Sequence, residues 1–255
     1  FVLNAAESEN SIISVERIKQ YMSIPYELPK KLPIDEHLRY WPENPSIEFH
    51  KVYMKYRLNT PIILNDFSFK IEAGSRVGFV GRTGSGKSSI FLALLRIVEL
   101  AKGLITIDNI DISQIGLKKL RSAITLVPQD PLVFSGSLQE NLDPPGVKSE
   151  REVRMALDTV NLSAFSLDYV IQSNGSNLSA GEKQLLSIGR AMLAHTKIIL
   201  FDEATAGIDY NTDLYIQNLI RKKLNNCTAL TIAHRLGTVL EYDIIIVMQE
   251  GMIAE

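Results

Sequence analysis

The chain has 255 residues, 45% hydrophobic and 22% charged, with a net charge of −2. That balance supplies an ordinary globular core and excludes the global basic charge of a nucleic-acid binder. The single cysteine, Cys227, excludes an internal disulfide and fits a reducing compartment, and there is neither an apolar run of bilayer length nor a secretory signal.

Residues 1–24 carry apolar positions at Ile12, Ile13, Val15, Ile18 and Met22, a helical stripe. Residues 25–46 hold half of the ten prolines and read as an extended connector, because proline fixes φ and lacks a ladder N–H. From Ile47 the pattern changes to strands. Ile47–Tyr53 and the alternating Leu64–Ile71 fit half-buried antiparallel pairing. Residues 47–255 are therefore expected to form the main domain. Phe1 and the abrupt end at Glu255 read as cut ends of a longer polypeptide.

The apolar run Arg76–Val80 leads into Gly81-Arg-Thr-Gly-Ser-Gly-Lys87-Ser88, a full match to the phosphate-loop pattern, and an apolar stretch at helical spacing follows over Ser89–Val98. That strand–loop–helix context fixes the expected ligand class as a nucleoside triphosphate. Gly81, Thr83, Gly84, Ser85 and Gly86 would let backbone N–H groups wrap a phosphate chain, with Ser89 in the first turn of the helix. Lys87 would reach the β- and γ-phosphates, and the Ser88 hydroxyl would sit on Mg²⁺.

The region of about 131–194 lacks strong strand signals and is expected to be a helical subdomain. Within it, Ser149-Glu-Arg-Glu152 has capping-box spacing. Leu178-Ser179-Ala180-Gly181-Glu182 repeats that spacing before a long helix. By itself it fits either a well-capped helix or a second anion site.

Ile198–Phe201 and Ile244–Met248 are continuously apolar, as in parallel strands covered on both faces, with a helical pattern at Tyr210–Leu224 between them. The expected fold is α/β, with a mostly parallel sheet. Asp202 and Glu203 close the first of these strands, where ligands bind in open α/β sheets. They read either as an acidic turn or as a Mg²⁺ ligand, Asp202, beside a water-polarising base, Glu203.

Taken together, Gly81–Ser88, Gln129, Leu178–Glu182, Asp202–Glu203, Asp209 and His234 resemble, in order and spacing, the nucleotide-binding domain of an ABC transporter. The resemblance covers the chain from about Ile47 onward. It implies a P-loop NTPase core with an antiparallel β-subdomain and a helical subdomain, binding ATP and Mg²⁺. It makes Leu178–Glu182 the signature motif, which in a head-to-tail pair of such domains faces the ATP held by the partner's phosphate loop. It also implies that Tyr56, with Tyr53 as its nearest rival, stacks on adenine. Gln129 would contact Mg²⁺ and the attacking water, His234 the γ-phosphate, and Asp209 the opposite domain.

Ser14-Val-Glu-Arg-Ile18, the run Gln129–Pro144 and Thr231-Ile-Ala-His-Arg235 narrow the resemblance to subfamily C, the multidrug-resistance-protein type, and to its second nucleotide-binding domain. The implied partners are a second nucleotide-binding domain and transmembrane domains of the same polypeptide, with no nucleic acid. The implied place is the cytoplasmic face of a membrane, with residues 1–24 following the last transmembrane helix. Departures from the family pattern are Glu182 in place of glutamine, Ala180, Gly207 in the Asp209 loop, and Ser173 where an acidic residue is frequent.

Two alternatives stand beside an exporter motor. One is an ATP-gated channel or channel regulator of the same subfamily. The other is an SMC-type DNA-maintenance ATPase head, disfavoured because only about 90 residues, without sustained heptads, separate phosphate loop and signature. A GTPase is disfavoured by the lack of an Asn-Lys-x-Asp element.

Overall fold

The computed structural model describes residues 2–24, 26–57, 59–203, 208, 210–223, 227–233 and 236–255. Asp209, His234 and Gly207, assigned above from the sequence, lie outside the described residues.

The chain opens with helix α1 (Val2–Met22). The stripe expected there is left uncovered by this chain: Ile12, Val15, Ile18 and Met22 are all exposed. The proline-rich segment is extended only in part. It contains a 3₁₀ turn at Pro33–Glu36 and is sewn to the domain. Asp35 accepts from the backbone N–H groups of Gly116 and Leu32, and Leu117 N–H donates to the Pro29 carbonyl. Trp41 is already in the main core, its indole N–H on the Ile107 carbonyl at 3.2 Å.

Strands β1 (Ile47–Met54), β2 (Leu64–Ile71), β4 (Leu100–Ile107) and β5 (Ile110–Asp111) make an antiparallel sheet in the order β2-β1-β4-β5. The second sheet takes β3 (Arg76–Gly81), β6 (Ile124–Val127), β9 (Ile198–Asp202), β10 (Thr228–Ile232), β11 (Ile244–Gln249) and β12 (Met252–Ile253), in the order β12-β11-β3-β10-β9-β6. All its pairs are parallel except β11 with β12. Sequence patterning singled out nothing between residues 99 and 128, yet β4, β6 and the short helix α3 (Leu117–Ser122) lie there. Strand β4 hides its signal because its first five positions, through Leu104, are half-exposed or exposed.

The sheet's continuous apolar strands are explained by burial on both faces. In β9, Ile198 and Leu200 enter the core shared with the antiparallel sheet and helix α2 (Lys87–Leu94), whereas Ile199 and Phe201 face the second core. Each such buried side chain contributes about 1.5–3 kcal/mol relative to exposure. The second core is built with α4 (Leu138–Leu142), α5 (Glu150–Thr159), α6 (Ala180–Ala194) and α7 (Tyr210–Lys223). The stretch of about 131–194 holds α4, α5 and α6, together with a two-residue pairing of β7 (Gly136–Ser137) with β8 (Val170–Ile171). The short α8 (Leu236–Val239) packs Val239 against Val80 and Ala233.

Helix α2 is shorter than the apolar periodicity predicts, ending at Leu94 rather than Val98. Arg96 turns to φ 49° and buries its guanidinium, which donates to the carbonyls of Ile112 and Ile115. Those carbonyls and the Glu99 carboxylate compensate the buried charge, and the chain leaves the helix to make these contacts.

Candidate functional site: a phosphate loop facing strand-end carboxylates

Strand β3 ends at Gly81 and α2 begins at Lys87, so the loop between them sits at the carboxyl edge of the parallel sheet. Three of its glycines take φ values that favour glycine: Gly81 at 149°, Gly84 at 82° and Gly86 at 100°. A Cβ on Gly81 would lie 2.4 Å from the Met248 carbonyl oxygen, so glycine there is demanded by close approach as well. Around Gly84 there is open space, as a loop that must admit a ligand requires.

Lys87 is 5% exposed. Its Nζ folds back to the carbonyl oxygens of Gly81 at 2.8 Å and Arg82 at 3.0 Å. Burial pulls its ammonium below the ordinary lysine range, and the negative charges of Glu203 and Asp202 oppose that shift. Ser85 is also buried, and among the described residues its hydroxyl has no hydrogen-bond partner. An orphaned buried hydroxyl within a glycine-rich turn between strand and helix fits an anionic ligand.

Asp202 closes β9, and the register places it beside Ile232 of β10, which in turn pairs with Phe79 of β3. One strand therefore separates the carboxylates from the root of the phosphate loop. Glu203 takes φ 49° and donates its N–H to the Ile232 carbonyl at 3.1 Å. It lines a cavity of ≈ 240 Å³ together with Tyr56, Ile63, Thr83, Gly84, Gly86, Lys87, Ser88 and Ser89. Ser88, Asp202 and Glu203 offer hard oxygen atoms. That set suits Mg²⁺, which keeps waters and binds through one or two carboxylates plus substrate phosphates.

Tyr56 is half-exposed at the cavity wall, its hydroxyl 2.8 Å from Ser89 Oγ. The rival Tyr53 pairs instead with Lys102, whose ammonium lies 5.6 Å from the ring centroid, and does not line the cavity. Gln129 is exposed on the loop after β6 and is not among the lining residues. That loop is tied to α6, where Gln184 Nε2 donates to the Pro128 carbonyl at 3.4 Å and Arg190 donates to the Leu132 carbonyl.

The Leu178–Glu182 segment borders a second, separate concavity, with Leu178 itself buried and not among its lining residues. Ser179, Ala180, Gly181 and Glu182 line it with Leu185, Ile208 and Thr212, and it shares no residue with the first. The capping box is present: Glu182 Oε2 accepts from Ser179 N–H at 2.7 Å and from its hydroxyl at 2.8 Å, while Glu182 N–H donates to Ser179 Oγ at 3.2 Å. Glu182, which departs from the usual glutamine, thus holds the start of α6.

Two contributors were not read from the sequence. Ile63 lines the cavity without any polar signal. Gly251, in the turn between β11 and β12, donates its N–H to the Ser85 carbonyl at 3.0 Å; its one sequence signal is a Glu-Gly turn between apolar runs.

A glycine cradle between a parallel strand and a helix, with carboxylates one strand away at the same sheet edge, defines a phosphate-loop nucleoside triphosphatase. Residues 64–206 match the family model described as ABC transporter, and the chain belongs to that family, whose ATP-binding domains hydrolyse ATP. It is 44% identical over 260 residues to multidrug resistance protein mrp-7 of Caenorhabditis elegans, covering 100% of this chain and 17% of that protein. It is 42% identical over 256 residues to ATP-binding cassette sub-family C member 3 of Homo sapiens, covering 98% of this chain and again 17% of the relative. The chain thus spans about one sixth of the length of these relatives. Among solved structures, a bacterial Atm1-family ABC exporter with ATP bound superposes with a TM-score of 0.78 at 35% identity, covering 83% of this chain and 38% of that one.

Proposed function

We propose that this chain is the ATP-binding and ATP-hydrolysing motor domain of a membrane exporter of the multidrug-resistance-protein type, in the position of its second nucleotide-binding domain. Residues 1–24 follow the last transmembrane helix, 25–46 connect, and 47–255 form the ATPase domain. The observation that carries the reading is the separation of two concavities. The phosphate loop and Glu203 share one, and Ser179 to Glu182 line another. A single nucleotide cannot occupy both within one chain, so each is half of a site completed by a second domain, docked head to tail.

In this reading the loop from Gly81 to Ser89 holds the phosphates, and Tyr56 and Ile63 form the wall against the base. Bound Mg²⁺, held by Ser88, Asp202 and Gln129, would neutralise phosphate charge. Glu203 is the general base that takes a proton from the attacking water. His234 contacts the γ-phosphate, and Asp209 communicates with the opposite domain. Leu178, Ser179, Ala180, Gly181 and Glu182 present the α6 N-terminus to the ATP of the partner domain, where the helix dipole favours an anion. The domain works at the cytoplasmic face of the membrane, with transmembrane domains of the same polypeptide as its other partners.

The test is transport by the full-length parent in inside-out vesicles. ATP-dependent accumulation of any member of a panel of labelled small molecules, lost in Glu203→Gln, supports the exporter motor. An ATP-dependent ion current without accumulation would replace it with the gated-channel reading.

A further inference from the structure

The turn between β11 and β12 reaches the phosphate loop from a part of the chain far away in sequence. Gly251 is bonded to two segments that each supply lining residues of the cavity, one carrying Ile63 and the other Gly84 and Gly86. Its N–H donates to the Ser85 carbonyl at 3.0 Å, and its own carbonyl accepts the Asn65 N–H at 3.0 Å. No side chain fits at this point. A Cβ on Gly251 would lie 2.0 Å from the Ile63 carbonyl oxygen, 2.9 Å from the Ile63 carbonyl carbon and 3.2 Å from Leu64 Cα. The Ile63 carbonyl also abuts the loop, 3.1 Å from where a Cβ on Gly86 would sit, with Gly251 Cα itself 3.4 Å from that same point. Gly81 is held from the same side, by the Met248 carbonyl at the end of β11.

We propose that Gly251 is a positioning residue for nucleotide binding, setting the gap between the phosphate loop and the Tyr56–Ile63 wall. The proposal rests on the reading of Gly81–Ser88 as an ATP cradle. The clashing atoms are backbone, so a methyl group at Gly251 cannot be absorbed by a rotamer change. It pushes Ile63 and Leu64 outward and loses the Ser85 contact. Both the ground state and the transition state bind ATP through this gap, so the loss falls on KM rather than on kcat.

Gly74 supplies an internal control. Its φ is 77°, against 78° at Gly251, but nothing lies within 4 Å of a Cβ built on it. It sits in the turn before β3, at the opposite end of that strand from the loop. Alanine at either glycine meets the same unfavourable dihedral, and only at Gly251 does it meet backbone.

The experiment measures steady-state ATP hydrolysis by the full-length parent polypeptide carrying Gly251→Ala or Gly74→Ala. The expected result is a KM for ATP raised about tenfold in Gly251→Ala with kcat within about twofold, and an unchanged KM in Gly74→Ala. Equal KM values in the two variants, or a loss confined to kcat, overturn the proposal. If Gly251→Ala does not accumulate as folded protein, Asn65→Pro removes the N–H accepted by the Gly251 carbonyl from an edge strand that tolerates proline. A KM raised about threefold then supports the proposal, and an unchanged KM overturns it. Lys87→Ala separates the two levels. Unaltered ATP binding in that variant overturns the cradle and this proposal with it. Lost binding there, with normal KM in the Gly251 and Asn65 variants, overturns the role of Gly251 alone.

Discussion

The Lys87 ammonium donates to the Gly81 carbonyl oxygen at 2.8 Å, so the last charged group of the phosphate loop is tied to its first residue. The contact closes the loop into a ring and holds a buried cation over the concavity its backbone forms. A cation fixed in that position needs little reorganisation to meet an anion.

Replacing Lys87 with alanine removes both the ring closure and the cation. A charge-assisted hydrogen bond to phosphate contributes about 1.5–3 kcal/mol, so ATP affinity is expected to fall by about 10- to 100-fold. Equilibrium binding of a fluorescent ATP analogue checks this, and an unchanged dissociation constant refutes it.

The same lysine imposes a pH dependence. Its pKa in the folded protein lies below the unfolded value because of burial. Between the two values the unfolded chain binds more protons. The cost of burying the charge is therefore present at neutral pH and is relieved as pH rises through the depressed pKa toward the unfolded one. Bound phosphate reverses the preference, since a nearby anion favours the charged lysine. ATP affinity is thus expected to stay level near neutrality and to fall in the alkaline range, while nucleotide-free stability rises. Paired nucleotide titrations and thermal melts across that range test both signs.

Glu203→Gln keeps the shape of the cavity wall but removes the proton acceptor. General-base catalysis contributes about 10²- to 10⁴-fold. Single-turnover hydrolysis is expected to slow by that order, with ATP binding within about threefold of the unmodified protein. Turnover near normal would remove Glu203 from the base role.

The two capping boxes give a matched pair. Ser149 caps α5 through Glu152, and Ser179 caps α6 through Glu182, with the same pattern of contacts. Alanine at either serine is expected to cost about 1 kcal/mol of stability. Ser149 lines neither concavity, so only Ser179→Ala is expected to lower ATP turnover in the full-length parent as well. Equal effects on turnover would reduce Leu178–Glu182 to a helix start.

Much of this was legible because local chemistry and local pattern agree. Gly81–Ser88 announces itself through glycines whose φ values other residues rarely adopt. The strand Ile198–Phe201 reads as buried on both faces because the sheet is covered on both. Ser149 and Ser179 declare their helices through capping chemistry spaced by one turn. Strand β6 was not legible, because a run of four residues at the sheet's edge is too short to show a period. The early stop of α2 was not legible either, since the cause is a set of carbonyls on another segment that receive the Arg96 guanidinium.

The sequence by itself determined the ligand class, the phosphate loop, the strand-end carboxylates and the helix starts, because each depends on residues adjacent along the chain or one helical turn apart. Only the tertiary structure decided that Tyr56 and not Tyr53 lines the cavity, that Gly251 lies against Ser85 and Ile63, and that the Ser179 concavity is separate from the one beside Lys87. Those facts depend on sheet order and register. Strand β10 separates β3 from β9, and β12 returns to the phosphate loop across more than a hundred and sixty intervening residues, so the pairings that place these groups leave no periodicity in the sequence.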